Sequence, residues 1–330
     1  MKKRKIGRTG LEVTEISFGG TGIGNLYKPV SREDSEVVFD ASWDAGIRLF
    51  DTAPRYGHGL SERRLGDFLR EKPRDSYTLA TKVGRLLTPL RGRQMGDYGF
   101  ADPLPFEQEY DYTYDGVMRS FEASLHRLGL DQVDILFMHD IGRDTHGDAN
   151  DYWQPIAFDG GLRAMTELRE QGLVKAIGLG VNEVQVCLDA LEHADLDCFL
   201  LAGRYSLLDH DSAAPLLDTC RRRGASLIIG GVFNSGILAT GPKPGAMFNY
   251  APASDEIIAR AQRLERICQD HGVALSTAAL QFPLRNEVVA SVLLGVSSQR
   301  NLDRNLEGLA AHIPDQLWTD LASEGLLTTP

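Results

Sequence analysis

Short, β-rich apolar runs alternate with amphipathic helical stretches along almost the whole chain, and this rhythm most narrows what the chain can fold into. Eight runs read as strands: residues 16–20 (ISFGG), 48–53 (RLFDTA), 78–83 (TLATKV), 133–139 (VDILFMH), 175–181 (KAIGLGV), 198–204 (CFLLAGR), 226–232 (SLIIGGV) and 289–296 (VASVLLGV). Helical patterns fill the gaps at residues 35–45, 61–69, 114–127, 161–171, 183–194, 212–223, 255–270 and 299–308. Strands that are apolar along their length belong in a parallel sheet covered by helices, and strand–helix alternation marks βα units. Eight such units predict a closed (β/α)8 barrel, the TIM barrel.

A length of 330 residues alone suggests roughly two domains. Barrels of this type, however, often run to ~250 residues or more as one unit, and no linker interrupts the rhythm. The expectation is a single domain over residues 1–330. A hairpin over residues 3–16 (KRKIGRTGLEVTEI), turning at Arg8–Gly10, precedes the first strand and is placed to plug the bottom of the barrel. Two long loops break the pattern, residues 84–113 after the third strand and 233–254 after the seventh. Loops of this length in compact domains are usually functional or disordered. Both carry aromatics, which favours enclosure of a substrate.

A net charge of −11 argues against nucleic acid or an anionic membrane as the main partner. Two basic runs, KKRK at 2–5 and RRR at 221–223, read as solvated ends of elements. The four cysteines (Cys187, Cys198, Cys220 and Cys268) form no CxxC pair and no zinc spacing, and they read as reduced thiols. The first residues lack the apolar stretch of a signal peptide, and no run approaches the ~20 apolar residues that span a bilayer. A reducing cytoplasm fits this pattern.

The chemistry lies at the strand ends. Asp51 closes the second run, Tyr56 follows five residues later, Lys82 ends TLATK and His139 ends VDILFMH. In a barrel the C-terminal strand ends share one mouth, so these groups meet there. A phenol beside a lysine exchanges protons more readily, because the adjacent cation favours tyrosinate. A carboxylate keeps that lysine charged, and an imidazole orients a substrate oxygen. This set suits reversible carbonyl–alcohol chemistry with a hydride carrier. The competing reading is a Rossmann fingerprint, GGTGIG at 19–24 with Asp51 as the ribose-binding acid. Its glycines read GxGxG, Asp51 falls late, and it leaves Tyr56 and Lys82 unexplained. A βα loop whose glycines clear space at the mouth is the plainer account. A metal set from His139, Asp140, Asp144 and His146 lacks ligand spacing, so no metal is expected.

The segments FDTAPRYGHGLSERRLGDFL, LATKVG, RSFEASLHRLGLDQVDILFMHD and GLGVNE resemble the aldo-keto reductase superfamily over residues 4–310. HD after the fourth strand and LLAGRYSLLD resemble most the branch of D-threo-aldose (L-fucose) 1-dehydrogenases and pyridoxal 4-dehydrogenases. The resemblance implies NAD or NADP bound across the mouth, with Tyr56 as proton donor or acceptor, Lys82 lowering its pKa, Asp51 pairing Lys82, and His139 orienting the substrate. It further implies cofactor contacts from Asn182 (carboxamide), Tyr205 (nicotinamide stacking), Val232, Phe233, Ser235, Gly236 and Leu238 (pyrophosphate), and Ser297, Ser298 and Asn305 (adenosine side). Val181, Ala202 and Asn301 depart from the serine, glutamine and arginine of many members. Arg304, one turn beyond Asn301, is a substitute cation, and NAD is favoured. Arg55, His58 and Trp153 are candidate substrate contacts. The implied reaction is oxidation of an aldose hemiacetal (L-fucose or a D-threo sugar) to the lactone. The alternatives are pyridoxal to pyridoxolactone, NADPH-dependent carbonyl reduction, or, in a different class, a cofactor-binding regulatory subunit. The small molecule is the only partner implied, with no nucleic acid and no membrane.

Overall fold

A computed structural model describes residues 1–328. Its eight barrel strands are β1 (Ile16–Gly19), β2 (Leu49–Asp51), β3 (Thr78–Val83), β4 (Ile135–His139), β5 (Ala176–Val181), β6 (Cys198–Ala202), β7 (Ser226–Gly230) and β8 (Val289–Gly295). They pair in parallel, each with its neighbour in sequence, and β8 closes onto β1. Eight helices surround them: α1 (Arg32–Asp44), α2 (Leu60–Leu69), α3 (Tyr114–Leu128), α4 (Leu162–Glu170), α5 (Gln185–Leu191), α6 (Ala214–Arg223), α7 (Leu275–Gln281) and α8 (Gln299–Ala310). This is the expected (β/α)8 barrel.

The strand pattern follows from period-two alternation. Phe50 of β2 faces outward against Trp43 and Phe68, while Leu49 faces the interior. Inside, Leu49, Ala80, Ile135, Phe137, Ala176, Leu200 and Ile228 form an apolar cluster. The hairpin Lys3–Lys5 with Glu12–Thr14 closes it from below, adding Ile6, Leu11 and Val13. Arg4 corrects the reading of KKRK as a solvated end. Its guanidinium donates to the carbonyls of Leu284 (2.7 Å), Val289 (2.9 Å) and Asn286 (3.3 Å), tying the hairpin to the entry of β8.

The long loops are more structured than their sequence suggested. In the first, Arg85–Pro89 pairs with Phe106–Tyr110 as an antiparallel ribbon. Backbone bonds from Tyr27 and Ala101 (both 2.9 Å) and from Leu104 to Gly57 (3.1 Å) fasten the ribbon's tip across the loops after β1 and β2. The second contains a short helix, Ile237–Thr240, and a small hairpin, Met247–Phe248 with Ala251–Pro252. The helix Asp255–Asp270 then packs with a closing helix, Asp315–Ser323. Helices outside the expected set include α7, which has no side-chain cap, and Asn150–Ile156, which contains Pro155. Among the described residues, no helix is long and apolar enough to cross a membrane.

Candidate active site

Above the apolar layers the inward positions become polar. The pairing aligns Asp51 with Ala80, Lys82 with Phe137 and His139 with Gly180, so the three groups rise around one side of the mouth. Gly180 makes room for the lysine, since a Cβ there would lie 3.3 Å from Lys82 Cε. Lys82 has no exposed surface. Its ammonium donates to Asp51 Oδ1 (2.7 Å), Asp51 Oδ2 (2.6 Å) and the Thr52 carbonyl (2.9 Å). Burial alone would lower its pKa, but Asp51 and Tyr56 outweigh burial and hold the ammonium charged.

The backbone beyond β2 brings Tyr56 over this pair. Gly24 lies so close that a Cβ would sit 2.8 Å from the Tyr56 carbonyl carbon, and one at Gly20 would sit 2.5 Å from Ser61 Oγ. The glycines of GGTGIG therefore admit the neighbouring loop. Lys82 Nζ is 4.8 Å from the centre of the Tyr56 ring. Burial pushes the phenol above its ordinary value and the Lys82 charge opposes the rise. The His139 ring meets Tyr56 edge-on, 5.8 Å between centroids at 87°. Burial drives His139 well below the ordinary imidazole value, and the cations of Arg85, Lys82 and Arg55 reinforce this against Asp140. A neutral imidazole and a phenol therefore face one space, over a lysine held by a carboxylate. That arrangement can bind an oxygen from two sides and move one proton.

The remaining candidates divide. Asn182 lies at the end of β5, with its amide nitrogen making one long contact to the Ala202 carbonyl (3.4 Å). Tyr205 is half-buried against Phe282 (5.2 Å between rings). Val232 and Leu238 are buried in the core, so only their backbone can face a ligand, whereas Ser235 is exposed. A cleft of about 570 Å³ lies between α7, α8 and the loop after β7, lined by Phe233, Thr277, Asn301, Arg304 and Asn305. Gly236 sits beside it in a left-handed conformation (φ +100°). Ser297 and Ser298 lead into α8.

Arg55 is half-buried, 5.8 Å over the Phe100 ring. His58 is corrected as a substrate contact. It is fully buried, its Nδ1 is 2.5 Å from the Phe106 carbonyl, and it anchors the ribbon after β3. Trp153 stands behind the mouth among Tyr110, Tyr112 and His146. Sequence reasoning missed Arg85, Tyr112 and Thr21. Tyr112 donates to the His139 carbonyl (2.8 Å) and is fully buried. Thr21 reaches the Tyr56 phenol from the glycine-rich loop. No spacing rule points at them, because the loops alone bring them in. Among the described residues, no three His, Cys, Asp or Glu side chains cluster to hold a metal. A groove of about 1240 Å³ lies outside the barrel between α4 and the end of α5, and none of the four acid–base residues lines it.

Comparison with known proteins agrees with this geometry. The chain is 51% identical to pyridoxal 4-dehydrogenase of Microbacterium luteolum, over 99% of this chain and 98% of the relative. It is 39% identical to D-threo-aldose 1-dehydrogenase of a Pseudomonas species, over 97% of each. Among solved structures, an aldo-keto reductase from Bacillus halodurans shares the fold with a TM-score of 0.77 at 22% identity, covering 100% of this chain and 97% of that one. The sequence pattern of the aldo/keto reductase family matches residues 15–323, so the chain belongs to that family and is an oxidoreductase.

Proposed function

We propose that the protein is a nicotinamide-dependent dehydrogenase that oxidises the cyclic hemiacetal of pyridoxal to the lactone. The observation behind the chemistry is the buried Lys82–Asp51 pair beneath Tyr56, facing a neutral His139. The 51% identity to a pyridoxal 4-dehydrogenase over nearly the whole chain supports the substrate. Arg55 at the mouth offers a cation to a pyridine phenolate. The aldose reading is the second, supported by 39% identity to an aldose 1-dehydrogenase. Both convert a hemiacetal hydroxyl into a lactone carbonyl, and the same four residues serve either. The intact acid–base set disfavours a regulatory subunit.

The mouth fits a dinucleotide. Asn182 has an amide group with free hydrogen-bonding capacity, Tyr205 presents a ring, and the cleft at Asn305 and Arg304 is large enough for an adenosine end. When bound, the nicotinamide accepts the hydride; that chemistry is the cofactor's own. The chain's residues handle the rest. His139 holds the hydroxyl oxygen, Tyr56 as tyrosinate takes the hydroxyl proton, and Lys82 stabilises the anion before and after transfer. Asn301, where an arginine would meet a 2′-phosphate, favours NAD over NADP. We take residues 1–330 as one working domain, and place it in the cytoplasm because all four cysteines are free and buried.

The test is formation of reduced nicotinamide with NAD or NADP, offering pyridoxal, L-fucose, D-arabinose and L-galactose separately. The expected result is turnover of pyridoxal with NAD. Turnover of sugars alone would replace pyridoxal with an aldose, and preference for NADP would make Arg304 the phosphate contact.

A further inference from the structure

Behind His139 lies a pair of charges with no part in the mechanism above. Asp140 follows the imidazole directly and adopts a left-handed backbone (φ +51°), which turns its carboxylate back toward the ring. Its Oδ2 lies 3.6 Å from His139 Nε2, beyond hydrogen-bonding range. The same oxygen accepts a hydrogen bond of 2.5 Å from Arg85 Nη2. Arg85 is only 4% exposed and belongs to the ribbon after β3, where its guanidinium stacks 4.4 Å from the centre of the Tyr110 ring and meets Gln108 Oε1 at 3.4 Å. One carboxylate oxygen thus stands between two suitors, and the arginine holds it.

We propose that Arg85 is a positioning residue for the reaction: by holding Asp140 it keeps that carboxylate from capturing His139, and so leaves the imidazole neutral and its Nε2 proton free for the substrate oxygen. A carboxylate next to an imidazole ordinarily draws a proton onto it, because an opposite charge at close range favours the charged form. Arg85 neutralises that influence at its source. The other groups facing the imidazole work the same way or are neutral. Arg55 comes from the loop after β2 and Lys82 from β3, and both add positive charge. Tyr56 presents a ring edge, and Tyr112 and His146 lie on the carbonyl side. Asp51 is spent on Lys82. Asp140 is therefore the one group near the ring that would hold a proton on it, and it is itself pulled down to about 2: burial would raise it, but His139, Arg85 and Arg55 outweigh burial.

The test follows the His139 imidazole by NMR across pH in the unliganded protein, comparing wild type, Arg85→Met and the double variant Arg85→Met/Asp140→Asn. This rests on the imidazole alone and does not depend on which substrate or cofactor the enzyme takes. Wild type should show no His139 titration in the neutral range. Arg85→Met should bring one in, and its kcat/KM should fall about tenfold per pH unit on the acid side of that titration. The double variant, which lacks the carboxylate, should lose the new titration and its acid limb. A purely structural role for Arg85 predicts loss of activity at every pH with no rescue by Asp140→Asn. Should Arg85→Met fail to fold, Arg85→Lys replaces it, with a smaller upward displacement expected from the poorer clamp. An unchanged His139 titration in the single variant, or one that persists in the double variant, overturns the proposal.

Discussion

In the helix-to-strand connections at the floor of the barrel, left-handed backbone positions belong to glycine: Gly46, Gly129, Gly172 and Gly224 among the described residues. In the strand-to-helix loops at the mouth, ten non-glycine residues adopt positive φ, among them Tyr27, His58, Asp140, Ser235 and Tyr250. Each such residue costs on the order of 1–2 kcal/mol, less for asparagine and aspartate. Unpartnered polar atoms occur at both ends: at the floor Arg4 is occupied by three carbonyls while Tyr77 OH and Arg74 Nε have no partner, and at the mouth His139 Nδ1 has none. One end of the barrel is built for stability. The other holds the backbone strain of non-glycine residues, which a ligand or a loop contact can repay.

If this division is real, substitutions at the two ends should separate activity from stability. Tyr56→Phe should show the largest effect. It keeps the ring and removes the proton carrier, so turnover should fall about 10²- to 10⁴-fold, while cofactor binding, followed by fluorescence, and the thermal midpoint stay near wild type. The same residue sets the sign of the pH profile. Burial raises the phenol's pKa, so tyrosinate becomes available only as pH climbs. The kcat/KM for oxidation should therefore rise from neutral pH and still be rising near about 10, the ordinary tyrosine value. A profile flat between pH 7 and 9 would show that another group takes the proton.

Lys82→Met breaks the separation on purpose, because it strips Asp51 of its partner inside the barrel. An uncompensated buried carboxylate costs about 3–5 kcal/mol, to be read by urea denaturation. Adding Asp51→Asn should return much of the stability and none of the activity. Ile6→Ala makes the converse case at the floor. Ile6 is fully buried in the plug, and its truncation should cost about 2–5 kcal/mol. The folded fraction should keep its kcat, because nothing in the plug touches the mouth. A large fall in kcat would mean that the floor transmits its packing to the site, and the contrast would fail.

How much of this was legible in the sequence divides along the same line. The eight strands could be read because strands buried on both faces are apolar throughout and are bounded by turns. Once they are in place, Asp51, Lys82 and His139 follow from lying at or within one residue of the strands' C-terminal ends. Helix α1 begins at Arg32, three residues before the pattern suggested, because Ser31 caps it by accepting from the Asp34 amide. What stayed hidden depends on contacts between loops. Arg85 reads as one arginine in a polar stretch until the ribbon folds back and delivers it to Asp140, 55 residues away. His58 beside Tyr56 looked like a mouth residue. A left-handed turn (φ +55°) puts it under the ribbon instead. Arg4 is hidden in the sequence for the same reason, since charge runs are usually solvated and only the packing of the hairpin brings it to three carbonyls.

The smallest prediction is the sharpest test of whether strain at the mouth is used or merely tolerated. At the far tip of the ribbon, Arg91 and Gly92 take successive positive φ values of 49° and 84°, and the Arg93 amide bonds back to Leu90 (3.0 Å). That is the pattern of a type I′ turn, which favours Asn-Gly over Arg-Gly. Arg91 is exposed and its side chain makes no hydrogen bond among the described residues, so Arg91→Asn should relieve strain and stabilise the protein by under about 1 kcal/mol. Activity should not change, because Arg91 is no part of the acid–base set. A gain in stability with unchanged kcat and KM would show that strain here is incidental and that the functional share lies nearer the chemistry, at Asp140. A rise in KM instead would mean that the tip of the ribbon, held in its strained turn, reaches the substrate after all.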